Sequence, residues 1–151
     1  MDKTMSRRAV VVFAGVLSAA VVAGTVQGAP VSFSVQLSGA QQVPAVGSTG
    51  TGTANFTFDP ATRVLSWSII YSGLSSDATM AHIHNAPAGK NGAPVFWLSA
   101  RGKPPTSPFT GSVTLTDAQA AQLKAGGWYV NLHSKDHPAG ELRGQIVPSA
   151  G

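Results

Sequence analysis

The chain of 151 residues carries no cysteine, ten Lys/Arg against six Asp/Glu, and a formal net charge of +4. Without thiols it has no disulfide framework, no thiolate metal site and no cysteine nucleophile, so core burial or a bound ion must stabilise it. The basic residues form no run or dense patch, which argues against nucleic-acid binding.

Lys3, Arg7 and Arg8 precede residues 9–23, all apolar or small, and Val26-Gln27-Gly28 follows with small or aliphatic positions suited to a signal peptidase. The pattern predicts an export signal over residues 1–28 and one mature domain over residues 29–151, periplasmic or secreted. The apolar run is too short and too alanine-rich for a spanning helix, and no stable membrane span is expected after cleavage. Ser6-Arg7-Arg8 fits a twin-arginine export signal, with Val10 and Val11 where that signal carries a bulkier pair.

The rest reads as short strands punctuated by Gly, Pro and Ser. Val31, Phe33, Val35 and Leu37 alternate with polar residues, as do Ala54, Phe56 and Phe58 before the Asp59-Pro60 turn. Leu65, Trp67, Ile69 and Tyr71 make a third strand. In a fourth, Met80, His82 and His84 lie on one face and Ala81 and Ile83 on the other. Asn91-Gly92 turns the chain into a short strand through Val95, Phe96, Trp97 and Leu98. Residues 101–108 form a stiff proline-rich loop, and Phe109, Gly111, Val113 and Leu115 resume the alternation. Thr116 and Gln119 supply a capping box for a helix of roughly three turns that Gly126-Gly127 ends. Trp128, Val130 and Leu132 then face the core, with Tyr129, Asn131 and His133 opposite. Leu142, Gly144 and Ile146 alternate with Glu141, Arg143 and Gln145 in a last strand. About eight strands and one short helix predict an all-β fold, a Greek-key β-sandwich or small barrel.

All four histidines fall in two clusters, His82-Ile83-His84 and His133-Ser134-Lys135-Asp136-His137. His-x-His on a strand places two imidazoles on one face, and a later segment can add more, the donor set of a mononuclear metal site. Imidazole suits copper, zinc, nickel and iron. His82, His84 and His133 are the expected ligands, with His137 a fourth ligand or a neighbour that supports them. Asn131 or Glu141 is expected to orient His133 through its other ring nitrogen. Arg143 either steers a small anion toward the site or fixes loops through an ion pair or hydrogen bonds to carbonyls. Trp67, Trp97, Trp128 and Tyr129 are expected in the core. Ser134, His133 and Asp136 have triad chemistry, but adjacent strand positions point to opposite faces.

Ala81-His82-Ile83-His84 followed by Ala86-Pro87-Ala88-Gly89 and Asn91-Gly92 resembles the first signature of the CHRD (chordin-type) domain. Tyr129-Val130-Asn131-Leu132-His133 and Pro138-Ala139-Gly140-Glu141-Leu142-Arg143-Gly144-Gln145-Ile146 are similar to its second. Leu37-Ser38-Gly39-Ala40-Gln41-Gln42-Val43-Pro44 resembles its opening strand and loop, so the resemblance spans about residues 32–147. It implies a stand-alone exported bacterial protein of a family whose name does not specify an activity. The sandwich expected is superoxide-dismutase-like or immunoglobulin-like. A likeness to copper/zinc superoxide dismutases lacks that enzyme's cysteines and zinc loop, which leaves a copper-only analogue. The expected function is binding of one transition metal, copper first and zinc second, with superoxide-type redox chemistry as its extension. The competing reading is a non-catalytic extracytoplasmic module that binds a protein or glycan partner, its histidines structural.

Overall fold

A computed structural model of the protein describes residues 28–148. The expected export signal therefore lies, but for Gly28, outside the described residues. Eight strands follow one another: β1 (Val31–Ser38), β2 (Thr51–Asp59), β3 (Val64–Ser72), β4 (Ala78–Asn85), β5 (Pro94–Trp97), β6 (Phe109–Thr114), β7 (Trp128–Ser134) and β8 (Leu142–Ile146). One helix, α1 (Asp117–Lys124), joins β6 to β7. The all-β fold with one short helix is the expected one. At eight residues α1 is nearer two turns than three, because the chain leaves it at Ala125, ahead of the glycine pair.

All pairings are antiparallel within one curled sheet of order β5-β4-β7-β8-β1-β2-β3-β6. β1, β2 and β3 are consecutive hairpin neighbours, while β3 to β4 and β5 to β6 cross between the two ends of the sheet, as Greek-key connections do. Two four-stranded halves result, joined through β8 and β1 at the single pair Ser38↔Arg143. Gly144 permits that close joint: a Cβ there would lie 2.5 Å from Val35 Cγ1 and 2.6 Å from the Gln36 carbonyl. The halves fold onto each other around a core that includes Phe33, Phe56, Leu65, Ile83, Trp128 and Leu142.

The sheet is open between its edge strands β5 and β6, and Trp67 fills the seam. Its ring stacks 6.0 Å from Phe96, and Nε1 donates to the Leu98 carbonyl at 3.2 Å. Gly111 of β6 makes room for it, since a Cβ there would meet the indole. Among the described residues no helix is long and apolar enough to cross a membrane.

Candidate metal centre

Strand period two turns Ala81 and Ile83 of β4 inward, both fully buried, and directs Met80, His82 and His84 to the outer face. Register then decides which side chains meet there. His82 pairs with Asn131 of β7 and Trp97 of β5, His84 with Tyr129, and Met80 with His133. His133 is thus the diagonal neighbour of His82 across the β4–β7 pair, within reach of a ring.

His82, His84 and His133 each present one ring nitrogen, and these three atoms lie within 4.8 Å of one another. His82 and His133 are buried and His84 is half-buried. Two backbone carbonyls fix the tautomers. His84 Nδ1–H donates to the Gly92 carbonyl at 2.9 Å, and His133 Nδ1–H donates to that of Pro138 at 2.9 Å. Both Nε2 atoms are thereby left with their lone pairs. His133 Nε2 lies 3.2 Å from His82 Nδ1 and accepts a hydrogen bond from its N–H. His84 Nε2 is buried with no hydrogen-bond partner. An orphaned basic nitrogen in such a place is unfavourable unless something electrophilic occupies the space before it.

The electrostatics keep these nitrogens unprotonated. Burial pushes the His82 imidazole down to about 4, with the His133 and His84 rings adding to it. Burial likewise lowers His84, opposed by the Gly92 carbonyl and assisted by the charge of Arg143. His133 is lowered by burial first, opposed by the Pro138 carbonyl and assisted by His84. All three rings are neutral at pH 7, the form that binds a metal. No carboxylate belongs to the group. A neutral, all-imidazole set fits a borderline divalent ion and does not fit calcium or magnesium, which want oxygen.

His137, expected as a fourth ligand or as a neighbour that supports the others, is not in the group. Its backbone N–H donates to Ser134 Oγ at 3.2 Å, and the residue lines a cleft of about 380 Å³ that also touches His84, Tyr129 and Asp136. The turn it occupies serves His133 instead, through the next residue's carbonyl. Asn131 and Glu141 do not orient His133, because Pro138 already occupies that nitrogen. Asn131 Oδ1 accepts from Gln42 Nε2 at 2.7 Å, and its Nδ2 donates to the Ala139 carbonyl at 3.3 Å. Glu141, fully buried, accepts from Ser48 Oγ at 2.6 Å and from Ser75 N and Oγ at 2.8 and 3.0 Å. Both residues clamp loops over the outer face.

Arg143 is 1 % exposed and takes the loop-fixing place. Its guanidinium donates to the carbonyls of Lys90 and Pro87 and to Asn91 Oδ1, at 2.8, 3.4 and 3.2 Å. It stacks 3.6 Å from the centroid of Tyr129.

Trp128 and Trp67 are core residues, as expected. Trp97 and Tyr129 wall the histidine group: Trp97 meets His82 edge-on at 4.3 Å, and Tyr129 stacks on His84 at 4.9 Å and 15°. Period two along β7 already set Tyr129 on the face of His133. For Trp97 no local signal existed, because its contact depends on the β4–β5 register.

No curated protein and no solved structure matches the chain. The sequence profile of the CHRD domain matches residues 33–146, the span that contains all eight strands but the first two residues of β1. The chain belongs to the CHRD domain family.

Proposed function

We propose that the protein binds one transition-metal ion, copper, through His82 Nδ1, His84 Nε2 and His133 Nε2. The observation that carries this reading is the buried, unpartnered Nε2 of His84 beside two further imidazole nitrogens. Two carbonyls hold His84 and His133 in the tautomer a ligand requires, the usual support for a metal-bound histidine, and His82 would carry its proton on Nε2 when Nδ1 binds the ion. Copper is favoured because it stands highest among divalent ions for a nitrogen set and because the export expected from residues 1–28 would deliver the protein to an oxidising compartment. Zinc is the second choice, held by the same atoms.

Copper would supply one-electron chemistry, and the activity that follows is redox exchange with a small oxygen species such as superoxide. The chain's own residues would set the conditions. Trp97 and Tyr129 exclude water from two sides, the Gly92 and Pro138 carbonyls fix ring orientation, and the cleft beside His84 gives access.

Metal analysis with Cu(II) titration tests the reading, comparing wild type with the His82→Ala, His84→Ala double variant. One equivalent bound by wild type and none by the folded variant is the expected result. Equal uptake removes the site and leaves the protein- or glycan-binding module. Copper-loaded protein with no superoxide turnover above the free-copper background removes the redox activity alone.

A further inference from the structure

Arg143 is buried without a counter-ion. Its hydrogen-bond partners are neutral oxygens, and neither ion pair among the described residues includes it. A guanidinium remains charged wherever it is placed, so an uncompensated positive charge is fixed within the fold. Strand order defines what lies beside it. β7 sits between β4 and β8, and Tyr129 of β7 pairs with His84 on one side and Gln145 on the other. Arg143, on the β8 side, covers the phenol ring at 3.6 Å, while His84, on the β4 side, stacks on it at 4.9 Å. A buried cation therefore stands one aromatic ring away from a candidate metal ligand.

We propose that Arg143, acting through the Tyr129 ring, is a positioning residue that biases the bound copper toward Cu(I). This rests on the copper-binding reading above. A fixed positive charge disfavours each added positive charge nearby, and disfavours Cu(II) more than Cu(I). At such a distance, in a poorly hydrated environment, the effect on the ratio of the two affinities is about tenfold.

The molecule contains its own control. Arg101 lies over Trp97 at 5.4 Å, and Trp97 touches His82 at 4.3 Å, so an arginine, an aromatic ring and a ligand again occur in series. Arg101 is exposed, and solvent and salt screen its charge. Burial separates the two arginines, and burial is what the proposal requires.

The experiment measures Cu(I) and Cu(II) affinities by chelator competition, and the midpoint potential, on folded, copper-loaded protein. Arg143→Gln is expected to lower the Cu(I)-to-Cu(II) affinity ratio about tenfold, a fall of about 59 mV for one electron. Arg143→Lys, which keeps the charge, and Arg101→Gln are expected to change it less than about twofold. Gln145→Glu covers the case in which Arg143→Gln does not fold. Gln145 Oε1 lies 3.5 Å from Arg143 Nη2, so a carboxylate there compensates the charge, at the cost of the bonds that Gln145 Nε2 donates to the Ala86 and Gly126 carbonyls, and in the folded variant the ratio should fall similarly. An unchanged ratio in folded Arg143→Gln or Gln145→Glu overturns the proposal, as does an equal shift in Arg101→Gln. Wild type that binds no copper overturns the function proposed above and this inference with it. Copper bound through His82 and His84 with no Arg143 effect overturns only the inference.

Discussion

The two halves of the sheet use the same strand pattern for opposite ends. In β1, β2 and β3 the inward residues are buried and most of their outward neighbours, such as Ser34, Asn55 and Ser66, are exposed. In β7 all seven residues are buried, and in β8 all but Gln145 are. The difference comes from loops. Those around Gln42, Ser48, residues 86–92 and residues 135–140 are fastened over the outer face of β4, β7 and β8 by Asn131, Glu141 and Arg143. One half is a plain wall with one dry face. The other is buried on both faces along β7 and β8, and its loop-covered face holds the imidazoles.

The largest expected effect breaks the plain half and spares the other. Phe56 is 1 % exposed on β2, and Phe56→Ala should cost about 3–5 kcal/mol in transfer and cavity energy. Denaturant titration reads this loss. Copper stoichiometry at temperatures where the variant is folded should be unchanged, because nothing in β2 touches the histidine group. A lost equivalent of metal in folded Phe56→Ala would show that the halves are not independent.

Between pH 7.5 and 4 acid should act mainly on the loop-covered half. The three imidazoles are lowered in the folded protein, so between an unfolded value near 6.5 and a folded value of about 4 for His82 the unfolded chain binds more protons. Stability is then fully present above the unfolded value and falls as the pH drops through that window. For His82 the loss amounts to a few kcal/mol by pH 4. Urea midpoints of metal-free protein between pH 7.5 and 4 check this. His82→Asn should flatten the profile, and an equally steep one would place the titration elsewhere.

Gly140 offers a smaller perturbation of the same half. Its φ is +125°, which side-chain-bearing residues rarely adopt, and a Cβ would run into the Asn131 amide. Gly140→Ala should cost about 1–3 kcal/mol. It should also weaken copper binding, because it displaces the turn whose Pro138 carbonyl holds His133. Retained affinity would separate the turn from the site.

The plain half was almost fully legible, since inward and outward residues follow from alternation alone, Phe33 against Ser34 and Phe56 against Asn55. The other half was legible along each strand and not between strands. His-x-His set His82 and His84 on one face, and the face of His133 on β7 followed similarly. Which residues oppose one another depends on a bulge. Ala78 pairs with Ser134 and Met80 with His133, so Thr79 is the extra residue, its Oγ1 buried without a partner. Continuing the Ala78 register without that extra residue would put His82 on the face opposite His133. No local pattern announces such a slip. The supporting carbonyls of Gly92 and Pro138 were equally hidden, because backbone atoms carry no residue signature. Asn131 and Glu141 were expected as partners of His133 only because they are polar side chains on its face.

The smallest expected effect lies at the helix that connects the halves. Thr116 Oγ1 accepts from the Gln119 N–H at 3.2 Å, and Gln119 Oε1 accepts from the Thr116 N–H at 2.9 Å. Thr116→Ala deletes the first of these bonds on an exposed surface and should cost about 1 kcal/mol. Leu123, fully buried, continues to anchor α1 to the core, so the helix should shorten at its N-terminus and stay docked. Trp128 Nε1 donates to Gln122 Oε1 at 3.2 Å, which ties the far end of the helix to the start of β7. A frayed first turn should not reach that contact, and copper affinity should equal that of wild type. If affinity instead falls with the cap, strain passes from α1 through Trp128 along β7 to His133, and the histidine group owes part of its geometry to the connection between the halves rather than to the loops above it.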